Sequence, residues 1–269
     1  MSRVVSRHVL RATAISIALG FSLLPVGCGG DSASEDVVRV EATDSAYEMP
    51  DQIEGGLATM EFVNAGEHVH EWALGRLNEG RLVAHLRAEL TTNGIESLDS
   101  IEDVGGVPAM TPGATLRLTR DLEPGRYAFF CSMPASSRLA YFQVGMVRGF
   151  EVAGTSDSQP PDVDGTITVR EESIEVPAIE AGTRTLKLEN TANDVRELKL
   201  LSLVPGKRAA DLEAWFGNRF AGEPPADMLG VLGKLAAGET VYATVEFESG
   251  RTYHLFDQPH RVSTRFDVR

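Results

Sequence analysis

A chain of 269 residues with 42% hydrophobic and 24% charged content has ordinary globular composition, long enough for one large domain or two of roughly 110 residues. Its 39 acidic against 25 basic side chains give a formal charge of −14, which repels DNA, RNA and acidic lipid surfaces and excludes nucleic-acid binding. The sequence contains no Ser-His-Asp arrangement, phosphate-cradling glycine loop or paired-cysteine zinc motif.

Arg3, Arg7 and Arg11 form a basic leader without an acid, and residues 12–26 are apolar or small. That stretch is too short to span a bilayer as a stable helix but suits the core of a signal peptide, so residues 1–27 read as a cleaved leader of an exported protein. The run Leu23-Leu24-Pro25-Val26-Gly27-Cys28 resembles the lipobox of bacterial lipoproteins. The resemblance implies lipidation of Cys28, a tether over 28–36 and attachment to the membrane through the lipid. Cys131 is then the only other cysteine, and a lone internal cysteine in an exported protein suggests a metal ligand, a reactive thiol or a plain buried residue.

Beyond the tether the dominant period is two. Residues 38–40, 59–63, 71–74 and 115–119 read as short strands between Gly, Pro or Asn turns, and 166–169, 185–188 and 240–245 read likewise. Apolar stripes at helical spacing predict a helical piece over 81–90 and another over 208–216. The Gly/Ser/Pro/Asp stretch 154–164 has linker composition and divides the chain into 37–153 and 165–269.

The two halves repeat one another. From Asn64 to His70-Glu71 and Leu77 the spacing equals that from Asn190 to Arg196-Glu197 and Leu203. Gly113 and Gly125 stand as far apart as Gly238 and Gly250, and each second glycine leads to a tyrosine, Tyr127 or Tyr253. Several short strands per half predict an all-β chain of two tandem sandwiches, each with a short inserted helix.

Gly125-Arg-Tyr127, Cys131-Ser-Met-Pro134 and Gly145-Met146, taken with Asn64 and His70, resemble the plastocyanin-like blue-copper proteins, and more closely exported bacterial proteins with tandem domains of that kind. The resemblance implies a Greek-key cupredoxin fold in both halves and a copper ion in the first. A thiolate, imidazoles and a weak thioether suit both oxidation states of copper. By position His70, Cys131 and Met146 fill three of the family's four ligand roles, while Tyr141 stands where the second histidine belongs. His68, two residues before His70 and on the same strand face, is one substitute for that ligand. A three-ligand site and a metal-free site with a buried Cys131 are the others.

In the second half the counterparts of His70 and Cys131 are Arg196 and Asp257, so no copper of this kind is expected there. His254 and His260 near Asp257 read as polar loop residues rather than a zinc site. Two functions compete: a membrane-anchored copper protein in electron transfer, whose acidic surface would steer a positively charged redox partner, and a copper-free binding or scaffold module that meets another protein of the cell envelope. An enzyme is not expected, because Cys131 is flanked by Phe130 and Ser132 and no histidines for further copper centres stand beside it.

Overall fold

The computed structural model describes residues 37–135 and 139–269. The first half runs β1 (Val38–Ala42), β2 (Tyr47–Glu48), β3 (Gln52–Glu54), β4 (Gly56–Asn64), β5 (His70–Leu77), α1 (Val83–Asn93), β6 (Ile101–Met110), β7 (Thr115–Leu122), β8 (Gly125–Phe130), a 3-10 turn (Tyr141–Val144) and β9 (Val147–Ala153). The second half runs β10 (Gly165–Val169), β11 (Ile174–Glu175), β12 (Gly182–Asn190), β13 (Arg196–Leu203), α2 (Ala209–Gly217), β14 (Ala226–Leu235), β15 (Thr240–Phe247), β16 (Thr252–Asp257) and β17 (Val262–Asp267). The expected all-β class with one short helix per half is what the chain adopts.

Two sheets are built jointly by both halves. One has the order β11-β10-β12-β15-β7-β4-β1-β2 and the other β17-β16-β13-β14-β6-β5-β8-β9-β3. Each order reads outward from a central seam, β15 on β7 in the first and β14 on β6 in the second, with counterpart strands at matching positions. In the first seam Ala243 pairs with Leu118, and each is the fourth residue of its strand. The repeat seen in sequence therefore emerges as an approximate two-fold relation. Buried Arg120 ties the halves further, donating to the Val104 carbonyl at 2.8 Å and pairing with Glu239 at 3.0 Å.

Alternation decides which side chains enter the core. Along β4 Met60, Phe62 and Asn64 point inward, and along β12 Leu186, Leu188 and Asn190 do the same. Met60, Phe62, Leu186 and Leu188 join an apolar cluster with Trp72, Leu116, Phe129, Leu198, Val241 and Leu255 that runs through both halves. Each such fully buried side chain contributes roughly 1.5–3 kcal/mol of transfer free energy. The inward asparagines are satisfied: Asn64 Nδ2 donates to the carbonyls of His68 and Met110, both at 2.8 Å, and Asn190 Nδ2 donates to those of Asp194 at 2.7 Å and Leu235 at 2.9 Å. They pin the loops that deliver His70 and Arg196.

At Gly106 the backbone has φ +101°, and a Cβ would come within 1.9 Å of the Trp72 carbonyl oxygen on the paired strand β5. Gly106→Ala is expected to destabilise the protein by about 2–3 kcal/mol, read as a lower urea midpoint at unchanged slope. A loss under about 0.5 kcal/mol would contradict the close approach.

Candidate metal centre

Three strands carry the candidate residues to one end of the first half. His70 opens β5, Cys131 follows β8, and Met146 precedes β9. Because β8 pairs with β5 through Ala73 and Phe130, and with β9 through Phe130 and Val147, the three ends are neighbours. The loop between them is tied by backbone bonds. Cys131 N–H donates to the Met146 carbonyl at 3.2 Å, Met146 N–H to Tyr141 at 3.0 Å, Tyr141 N–H to Met133 at 2.9 Å and Phe142 N–H to Cys131 at 2.8 Å. Cys131, Met146 and Tyr141 are all buried, and His70 is 0% exposed.

His70 Nδ1 lies 3.7 Å from Cys131 Sγ, and its Nε2 lies 2.9 Å from Asp44 Oδ1. With Nε2–H donating to the carboxylate, the Nδ1 lone pair faces the sulfur, the tautomer a metal-binding imidazole needs. Bonds of about 2.3 Å to sulfur and about 2.0–2.1 Å to nitrogen would span 3.7 Å at an angle of roughly 115° at a shared ion, close to tetrahedral. The pair therefore fits a soft ion. It equally fits a thiol donating to Nδ1, since burial and the nearby Glu71 carboxylate push the free Cys131 thiol well above its usual range.

Tyr141 packs edge-on against the His70 ring, with centroids 4.4 Å apart. Burial, with Asp44 and Cys131 adding to it, raises its phenol to about 12, so it stays protonated and supplies no anionic ligand. His68 is exposed, its Nδ1 3.2 Å from Asp44 Oδ1 and its ring 6.2 Å from that of Tyr141. The structure thus brings together His70 and Cys131, joins Met146 to Cys131 through the backbone, and leaves His68 on the outer side of Asp44. Among the described residues no three His, Cys, Asp or Glu side chains gather as a metal-holding group. Cys28, the leader and the tether lie outside the described residues.

Asp44 and Glu71 escape a reading based on ligand types. Burial pushes Asp44 up, but bonds from His70, the Glu67 N–H and His68 outweigh it and hold the carboxyl at about 2. A carboxyl depressed in the folded state stabilises fully above its unfolded value of 3.8, and that contribution is lost as pH falls through about 2. With Asp44 a third exposed, solvent screening limits the effect to about 1 kcal/mol. Asp44→Asn is therefore expected to flatten the stability-versus-pH curve between these values, measured by urea unfolding, and an unchanged slope there would refute it. Glu71, beside His70, accepts from the Ser132 N–H at 2.8 Å and from its hydroxyl, while burial raises its pKa.

The second half reproduces the arrangement in charged residues. Arg196 Nη1 lies 3.2 Å from Asp257 Oδ2, and Nη2 lies 2.9 Å from Glu171 Oε2. Arg196 and Asp257 are 1% and 0% exposed. Glu171 stands two residues past β10 as Asp44 stands two past β1, so Asp44–His70–Cys131 and Glu171–Arg196–Asp257 are counterparts. His260 Nδ1 lies 2.9 Å from Asp257 Oδ2, and burial lowers the pKa of His254 on β16.

No protein-family model matches the sequence, and no curated protein matches it. Among solved structures, a dithionite-reduced auracyanin from the photosynthetic bacterium Roseiflexus castenholzii is 21% identical, with 44% of this chain and 96% of that one covered and a TM-score of 0.31. A multicopper oxidase is 14% identical over 87% of this chain and 88% of its own, with a TM-score of 0.27. A copper nitrite reductase from Nitrosomonas europaea is 11% identical over 87% and 93%, with a TM-score of 0.25. Likenesses this distant leave the weight on strand order and site geometry. The expectation that the chain is not an enzyme is nevertheless corrected, because an oxidase and a reductase stand among the similar structures. That expectation rested on histidines missing beside Cys131, which bears on additional copper centres and not on catalysis by other groups. The similarities are to copper proteins of the cupredoxin-like fold.

Proposed function

We propose that the chain is an exported, cupredoxin-like copper protein, tethered to the membrane by lipid on Cys28, which passes electrons to and from a protein partner through one copper ion in its first half. The observation that carries the reading is the 3.7 Å approach of His70 Nδ1 to Cys131 Sγ, with Asp44 fixing the other ring nitrogen. His70 and Cys131 would hold the ion, with Met146 as the weak third ligand. Copper would supply one-electron chemistry, and an ion at the thiol would favour its deprotonated form despite the burial. Burial of His70, Cys131 and Met146 would keep bulk water from the ion and restrain the residues that would hold it.

A copper-free scaffold is the second reading, favoured by the same 3.7 Å as a thiol-to-imidazole hydrogen bond. Copper added to the purified protein separates the two. One ion per chain and a visible sulfur-to-copper charge-transfer band, lost in Cys131→Ala, are expected for the copper protein. No band and an unchanged Tm would leave the scaffold. For the anchor, Cys28→Ala is expected to move the protein from the membrane fraction to the soluble one.

A further inference from the structure

The two helices, counterparts in sequence, dock differently. α1 buries Leu86 and Leu90 against Ile101, Ala128, Phe130 and Val147, and seals the outer side of the first half. α2 buries only Trp215, which joins the main core, and Phe256, the counterpart of the sealed Phe130, stays half-buried. A cleft of about 290 Å³ remains beside the seam of the halves, walled by Met133, Phe216, Phe220, Met228 and Phe256, with Glu71 also lining it. Phe220 is held there by a left-handed backbone, φ 62°, next to Arg219 at φ 54°, a conformation uncommon for residues other than glycine.

The polar groups of the cleft are uneven. One oxygen of Glu71 takes both Ser132 bonds, and among the described residues the other takes none. Lys199, across the cleft, is already engaged by Gln258 at 2.8 Å and Glu197 at 3.4 Å. Aromatic faces attract cations, thioethers are polarisable, and a protein of net charge −14 draws cations from a distance. We propose that this cleft is a binding site for a small organic ammonium ion with an apolar body, its charged end at the free oxygen of Glu71 and its body between the phenylalanines and methionines. The site requires no metal, although it shares a wall with the candidate metal centre, since Glu71 follows His70 and bonds Ser132 next to Cys131.

Titration calorimetry on the full chain with benzylamine, its neutral analogue benzyl alcohol and its anionic analogue benzoate tests this. Benzylamine is expected to bind once per chain, benzyl alcohol at least about tenfold more weakly, and benzoate not at all. Glu71→Gln should bring benzylamine down to the level of benzyl alcohol. Lys199→Gln, a change at the rim that leaves the fold intact, should tighten benzylamine about threefold, a sign that mere loss of packing would not produce. Absence of benzylamine binding up to about 10 mM, equal affinity for amine and alcohol, or weaker binding in Lys199→Gln would each overturn the proposal.

Discussion

Arg196→Met is expected to lower the free energy of unfolding by about 3–5 kcal/mol, because it strands the Asp257 carboxylate in the core without its cation. Asp257 is fully buried and, among the described residues, its Oδ1 has no hydrogen-bond partner, as is also true of Arg196 Nε. The pair is therefore incompletely satisfied, and its attraction has to offset two desolvation costs with bonds left unmade. The double variant Arg196→Met with Asp257→Leu removes both charges and should recover most of the loss. Urea unfolding of the two singles and the double supplies the coupling. A single variant costing under about 1 kcal/mol would show that His260, 2.9 Å from the same carboxylate, suffices as its partner. The contrast with the first half is chemical. There the counterpart pair is an imidazole and a thiol, which can share an ion, whereas a guanidinium and a carboxylate neutralise one another's charge and leave no donor set for one.

Much of this was legible in the sequence, for identifiable reasons. Helices expected over 81–90 and 208–216 occupy Val83–Asn93 and Ala209–Gly217, since apolar stripes locate a helix better than its ends. The strands with clean alternation, β4, β7, β12 and β15, were visible, whereas β6 and β14 were not. Their sequences carry Gly105-Gly106 with Pro108, and Gly230 with Gly233, and their pairings with β5 and β13 contain register shifts that break the period of two. Those two strands form one of the seams, so joint sheets could not be foreseen without them. At the site, residue type pointed to His70 and Cys131 and spacing to their counterparts Arg196 and Asp257. Asp44 carries no ligand signature. Only its position two residues past a strand end, repeated by Glu171, gives it away once the halves are aligned.

Tyr141→His is expected to tighten copper binding about a hundredfold and to intensify the visible band, if the first half holds copper as proposed. Backbone bonds already fix this position between Met133 and Met146, so the substitution changes the side chain without freeing the loop. The tyrosine ring lies edge-on to His70 at 4.4 Å, so an imidazole attached at the same Cα would face the gap that His70 and Cys131 border. A neutral imidazole donates a lone pair at pH 7, which a phenol held at about 12 does not. The smaller ring gives up part of the tyrosine's buried area, so the copper-free variant should be less stable by about 1–2 kcal/mol and regain more than that on adding the ion. Equal copper affinity in the two proteins, measured by competition with a chelator, would mean that position 141 does not face the ion. The reading of Cys131 as a ligand would then have to rest on its own substitution alone.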